Sequence, residues 1–158
     1  MKKVAILAMH NAMASTITGP MYVFYQAGVL WNYFQGKEIT PFFETKVVSI
    51  DGRSFRCLNG SRMVPDGSIR DVGSTDLIVV SSTFNIEKAR KYEGEAFEWL
   101  KEHHRRGAHI ATVCTGAFVL AETGLLDGKT ATTHWGSVSE FRRRYPRVRL
   151  VPELLITD

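Results

Sequence analysis

The chain has 158 residues, of which 44% are hydrophobic, and a formal net charge of +4. These values suit one domain with a substantial core and an ordinary surface. No apolar run approaches the roughly 18 residues of a membrane span, and the short apolar run after Lys3 leads to no cleavage site, so neither a membrane helix nor a signal peptide is predicted. The two cysteines, Cys57 and Cys114, form no disulfide framework, which favours a reducing, cytoplasmic setting.

Strand-like and helix-like segments alternate along the chain. Short apolar runs predict buried parallel strands, and Pro20 is predicted to lie in the first turn of a helix. The alternation predicts a three-layer α/β sandwich with a mostly parallel central sheet, in which 108–113 is the central strand. Predicted strands are 4–9, 42–50, 76–80, 108–113, 130–133 and 148–151, with weak strands at most in 53–75; predicted helices are 19–33, 87–106, the segment from just after Cys114 to Gly124, and 137–145.

Cys114 lies between a predicted strand and a predicted helix. Gly116 follows two residues later, which predicts a tight turn that exposes the cysteine at the carboxyl edge of the sheet. The N-terminus of the following helix would then favour thiolate over thiol, as a nucleophile or an oxidation sensor requires. A small buried cysteine packed beneath the helix explains the same pattern equally well.

His134 follows Cys114 by 20 residues, directly after the predicted strand 130–133. If this strand neighbours the strand of Cys114, the imidazole would accept the thiol proton or stabilise the thiolate. The alternative is a histidine that packs beside Trp135 with both ring nitrogens satisfied.

The run ATVCTGAFVLAETGLLDGKTATTHW, residues 111–135, resembles the signature of the class I glutamine amidotransferase-like, ThiJ/PfpI superfamily. More narrowly, it is similar to the branch that forms the N-terminal domain of AraC-type transcriptional regulators. GPMYVF at 19–24 and DLIVV at 76–80 support the resemblance, which is strong over 107–151 and loose over 37–75. It implies a flavodoxin-like sandwich formed by a single domain over residues 1–158.

The resemblance assigns the family's site residues to positions of this chain. The elbow cysteine corresponds to Cys114 and its partner histidine to His134. The family's acidic residue falls on Thr16, whose hydroxyl does not ionise near neutral pH. Where the family usually has Pro-Gly-Gly, with backbone N–H groups that help form an oxyanion hole, this chain has Ser-Ser-Thr at 81–83. These departures argue against an efficient hydrolase, hydratase or amidase and favour a binding or sensing pocket.

Several hydroxyl side chains are expected to gather near Cys114 and to hydrogen-bond a small polar effector, such as an amine or an amino-acid derivative. Serine and threonine also cap helices and satisfy loop backbone, which is the competing explanation. His10, at the end of the first strand, is a further candidate. The predicted ligand-binding residues are Thr16, Ser82, Thr83, Thr115 and His10, with Ser15 nearby.

The sequence therefore predicts the ligand-sensing and dimerisation domain of an AraC-type regulator, with a degenerate cysteine site and no metal or cofactor. One alternative is a cysteine-dependent ThiJ/PfpI-type hydrolase or hydratase, for which Glu122 is no obvious replacement acid. The other is a redox-sensing protein that uses oxidation of Cys114 as its signal.

DNA contact is a separate question, because no segment of the chain has the pattern of a recognition helix with a partner helix. The chain stops where the family's domain usually continues, so we expect a domain cut short at its C-terminus. DNA binding is then expected only through a helix-turn-helix domain absent from this chain. The arginines of 142–149 suit either a solvated helix end or a patch that contacts an acidic partner.

Overall fold

The computed structural model describes the backbone of residues 1–158 and every side chain except that of Tyr92. Five parallel strands form the central sheet, in the order β5-β2-β1-β6-β7. Two smaller sheets accompany it, an antiparallel β3–β4 hairpin and a parallel β8–β9 pair. The strands are β1 (Lys2–Leu7), β2 (Phe43–Ser49), β3 (Phe55–Arg56), β4 (Arg62–Met63), β5 (Gly67–Ser68), β6 (Leu77–Val80), β7 (His109–Thr112), β8 (Thr130–Ala131) and β9 (Arg149–Leu150).

Helices cover both faces of the central sheet. The longest have 12 residues, so none of the helices that the structure describes could cross a bilayer. Short 3₁₀ turns occupy Ile69–Asp71 and Trp135–Ser137. The α-helices are α1 (Ser15–Gln26), α2 (Leu30–Phe34), α3 (Ile86–Tyr92), α4 (Gly94–Arg105), α5 (Gly116–Glu122) and α6 (Val138–Arg144).

The alternation of side chains along β1 explains the three layers. Val4 and Ile6 pack toward α1, in a cluster that includes Ile17, whereas Ala5 and Leu7 pack in a larger cluster with residues of α3 to α6. A strand that is apolar on both faces must be covered on both sides, as in other parallel sheets. The predicted three-layer α/β sandwich with a parallel sheet is therefore confirmed.

The order of the strands corrects one expectation. The segment 109–112 forms β7 at the edge of the five-stranded sheet and pairs with β6, whereas β1 is the central strand. Within the described chain β8 pairs with β9 and not with β7. Local periodicity predicts which segments are strands, but strand order depends on the crossover connections between them.

Two predicted helices are each broken into two. The helix predicted over 19–33 begins at Ser15, contains Pro20 in its interior, and ends before Gly28, whose φ is +77°. The backbone around Gly28 then bonds to the chain that enters β2, through Thr40 N to Gly28 O at 2.9 Å. The helix predicted over 87–106 is interrupted at Glu93, which has φ −123° and ψ 18°.

Candidate functional site

Cys114 occupies a tight turn between β7 and α5, as the sequence predicts. Its φ is +59°, a left-handed conformation that is uncommon for residues other than glycine. The Val113 N–H donates to Val80 O at 3.0 Å, and the Gly116 N–H donates to Val113 O at 2.9 Å, so the turn is fixed from both sides. A Cβ on Gly116 would lie 2.7 Å from the carbonyl oxygens of Val80 and Ser81. The turn therefore requires glycine at this position.

The Cys114 thiol is half-buried and lines an open pocket of about 740 Å³ along the outer edge of β7. His134 lines the same pocket, so the structure brings these two predicted residues to one site. The Thr133 hydroxyl donates to the Cys114 carbonyl oxygen at 3.3 Å and links the two segments. No hydrogen bond joins the thiol to His134 among the side chains that the structure describes.

The His134 ring is held by its own neighbours in the chain. Its Nδ1 accepts the Gly136 N–H at 3.1 Å, and the ring packs on Trp135 with 5.2 Å between ring centroids. Because Nδ1 accepts a hydrogen bond, the neutral ring carries its proton on Nε2. Neither nitrogen is then free to take the thiol proton. These contacts match the alternative in which His134 packs beside Trp135.

Thr16 and Ser82 lie together beneath the surface. The Thr16 hydroxyl donates to Met13 O at 2.7 Å and accepts the Ser82 N–H at 3.1 Å. The Ser82 hydroxyl in turn accepts the Met13 N–H at 2.9 Å. Both side chains are buried. Position 16, to which the sequence resemblance assigns the family's acid, therefore carries a satisfied hydroxyl that connects the start of α1 to the turn after β6.

The turn after β6 is fixed by further hydroxyls. The Thr83 N–H donates to the Thr115 hydroxyl at 3.1 Å, and the Ser81 hydroxyl accepts the Met9 N–H at 2.9 Å. With the bond from Ser82 to Thr16, two successive backbone N–H groups of this turn are bonded to side chains inside the protein. An oxyanion hole needs such donors free and directed at the substrate.

The predicted ligand-binding residues are thus distributed over several places. Thr16 and Ser82 are enclosed, Thr115 lies at the start of α5, and Thr83 lines a second pocket together with His10. This second pocket is separate from the one that contains Cys114 and His134. A role in ligand binding stays a prediction for each of these residues.

Glu93 is a site residue that the sequence interpretation missed. Its carboxylate lines the pocket of His10 and Thr83, and Oε1 accepts the His10 backbone N–H at 2.8 Å. Burial raises the pKa of Glu93 above its usual range, although the hydrogen bond from His10 acts in the opposite direction. The available signal was its spacing. Glu93 precedes the inward-facing Phe97 and Leu100 by four and seven residues, which places all three on one face of the predicted helix 87–106.

Other charged side chains near these pockets have structural partners. The Glu122 carboxylate, which the sequence offered as no obvious replacement acid, accepts the Tyr145 hydroxyl at 2.5 Å and pairs with Arg90 at 3.1 Å. Arg144 pairs with Glu87 and Glu140, and Arg147 pairs with Asp127. Part of the 142–149 arginine run is therefore committed to ion pairs within the chain.

Comparison with known proteins relates most of the chain to one protein family. The model of the DJ-1/PfpI family matches residues 2–146. The HTH-type transcriptional regulator CdhR of Pseudomonas aeruginosa is 35% identical over 112 residues, which are 71% of this chain and 33% of CdhR. An uncharacterized protein in the cpoL 5′ region of Streptomyces lividans is 32% identical over 146 residues, 91% of this chain and 95% of that protein.

A solved structure agrees with these matches. The crystal structure of an AraC family transcriptional regulator from Pseudomonas putida superposes with a TM-score of 0.75, covering 96% of this chain and 77% of that one. At 20% identity this likeness concerns the fold. The present chain spans about a third of the length of CdhR. The match over residues 2–146, together with the parallel sheet and the cysteine turn, shows that the chain belongs to the DJ-1/PfpI family.

Proposed function

We propose that this chain is the ligand-sensing and dimerisation domain of an AraC-type transcriptional regulator, with a cysteine turn that no longer supports catalysis. The 35% identity to CdhR, named as an HTH-type transcriptional regulator, supports the regulatory role. In this proposal a helix-turn-helix domain outside residues 1–158 contacts the DNA. The regulator acts in the cytoplasm. Cys114 and His134 then serve as sensing or vestigial groups.

The observation that carries the proposal is the occupied turn after β6. The N–H groups of Ser82 and Thr83 donate to the hydroxyls of Thr16 and Thr115. Loss of one oxyanion donor lowers transition-state stabilisation by about 3 kcal/mol in well-studied enzymes. Substrate could recover these donors only by breaking buried hydrogen bonds, so the arrangement suits binding better than acyl transfer or hydration.

The cysteine and histidine themselves support the same conclusion. General base catalysis needs a ring nitrogen that is free to take the thiol proton. In His134 the acceptor nitrogen Nδ1 is already occupied by the Gly136 N–H. The threonine at position 16 supplies no ionisable group in place of the family's acid.

The dimerisation part of the proposal rests on exposed apolar surface. Helices α1 and α2 carry large side chains that remain exposed, whereas monomeric proteins seldom leave extended apolar surface in contact with water. A second copy of the chain is the occupant that we propose for this surface, as expected for a regulator that binds paired half-sites. The exposed residues are Tyr22, Val23, Tyr25, Leu30, Trp31, Tyr33 and Phe34.

The test is turnover by the purified chain, with an alkyl isonitrile, a primary amide and an α-oxoaldehyde as substrates. We expect the wild-type rate to equal that of Cys114→Ala, because neither a free base nor free oxyanion donors are available. Turnover that disappears in Cys114→Ala would contradict the proposal and establish a cysteine-dependent enzyme.

A further inference from the structure

An open pocket of about 770 Å³ lies at the carboxyl ends of β1 and β6. From β1 the chain passes to β2 on one side of the sheet, while β6 lies on the other side. The strand order therefore reverses between β1 and β6, and ligands of open α/β sheets bind outside such a point. Residues after β1 and β6, with the β3–β4 hairpin and α3, enclose the pocket.

Glu93, which lines this pocket, supplies a buried acceptor. Its side chain is 92% buried, since only 8% of the residue's surface is exposed. Oε1 accepts the His10 N–H, but Oε2 is buried without a hydrogen-bond partner. No ion pair among the described side chains involves Glu93. A buried carboxylate oxygen without a hydrogen-bond partner is energetically unfavourable. A donor group on a ligand would supply the missing hydrogen bond.

Two exposed arginines supply positive charge to the same pocket, whose lining also includes Arg53 and Lys88. Arg56 on β3 and Arg62 on β4 are paired directly across the antiparallel hairpin, and both line the pocket. Both are exposed, and neither forms an ion pair within the described part of the chain. Like charges directly opposite each other are destabilising on a hairpin. Two adjacent guanidinium groups are also well suited to bind a carboxylate.

Part of the lining of this pocket is apolar. Ile50, Phe55 and Ala89 line the pocket alongside the polar groups. Apolar walls with a few placed polar groups at the ends are typical of pockets for small organic molecules. The arrangement predicts a ligand with a charged group at each end and a short aliphatic part between them.

We propose that this pocket binds a small amino acid-like molecule, whose protonated primary amine donates to Glu93 Oε2 and whose carboxylate is bound by Arg56 and Arg62. The site is separate from the Cys114 pocket, so its existence does not depend on the regulatory role. The further claim that this ligand is the effector of a regulator rests on the proposed function.

The experiment measures binding of ω-amino acids to the purified chain by titration calorimetry. The probes are 4-aminobutyrate and 6-aminohexanoate, with hexylamine and hexanoate as one-ended controls. We expect one of the two amino acids to bind at least about tenfold more tightly than either control. We expect Glu93→Gln to weaken this binding by about tenfold or more, because a neutral amide is a poorer partner for an ammonium group.

Matched variants separate the possible explanations. Glu95→Gln alters an exposed carboxylate two residues further along the chain, in the first turn of α4, which pairs with Arg70 at 2.7 Å, and it should leave binding unchanged. Arg56→Gln combined with Arg62→Gln should remove the advantage of the amino acid over hexylamine. Cys114→Ala should bind normally, so the turnover assay and this titration can fail independently. Absence of amino acid binding at about 10 mM, or equal binding by Glu93→Gln, would overturn the proposal.

Discussion

Cys114 and Glu93 illustrate how much a single residue's environment can be predicted from its sequence neighbours. The turn at Cys114 was predictable because its determinants, a strand pattern and Gly116, are adjacent in the chain. The contacts of Glu93 were not, because its partner is the His10 N–H, 83 residues away. The orientation of the His134 ring was equally hidden, since it depends on the backbone conformation that presents the Gly136 N–H.

Glu93 leads to a prediction about pH. Burial raises its pKa above the usual value of 4.5, so the folded chain keeps this proton at pH values where the unfolded chain has released it. The folded state then binds more protons, and its stability falls as pH rises above about 4.5. We expect wild-type stability to decline relative to Glu93→Gln over this range, as measured by urea unfolding at a series of pH values.

Glu95 is the control, because its pKa shift has the opposite sign. The hydrogen bond and charge of Arg70 hold the pKa of Glu95 below its usual range, so that carboxylate favours the folded state above its unfolded pKa. Wild-type stability should therefore rise relative to Glu95→Gln as pH increases toward 4.5, the usual pKa of this carboxyl, and should stay level above it. Parallel trends for the two variants would contradict the assignment of a raised pKa to Glu93.

At the scale of elements, the apolar runs predicted four of the five strands of the central sheet with end errors of at most two residues, whereas β5 lies in 53–75, where weak strands at most were predicted. The breaks between α1 and α2 and between α3 and α4 were not predicted, because contacts distant in sequence determine them. Thr40 bonds to Gly28 at the first break, and His10 bonds to Glu93 at the second. The edge position of β7 was missed for a related reason, since periodicity contains no information on strand order.

The contact of α5 with β6 gives a second prediction. A Cβ on Gly116 would meet two backbone carbonyl oxygens that cannot move without distorting β6 and its turn. We expect Gly116→Ala to lower the free energy of unfolding by about 2–3 kcal/mol. Urea unfolding followed by circular dichroism measures this change.

Gly19→Ala is the matched control. A Cβ at Gly19 meets no atom within 4 Å, and its φ is not positive. Alanine in this helix should therefore maintain stability or raise it by about 0.5–1 kcal/mol. Equal stability of Gly116→Ala and wild type would show that α5 can move away from β6.

At the scale of the whole molecule, the exposed surface of α1 and α2 predicts self-association. Trp31 is 67% exposed on this surface. We expect the wild-type chain to sediment as a dimer and Trp31→Asp to weaken the dimer by at least about tenfold, because a carboxylate would be buried in an apolar contact. Analytical ultracentrifugation over a range of concentrations measures both.

Val64→Asp provides the comparison, since Val64 is 83% exposed but lies just after β4, outside α1 and α2. Its dimerisation should equal that of wild type. A monomeric wild-type chain, or equal effects of the two substitutions, would contradict the proposed dimer surface.

The edge position of β7 has a consequence for the backbone itself. The N–H groups of His109 and Val113 donate toward β6, and residues along a parallel strand alternate between its two edges. The amides of Ile110 and Thr112 therefore face outward, along the pocket that contains Cys114. In heavy water these two amides should exchange faster than that of Ala111, and a molecule that binds along this edge would slow them selectively.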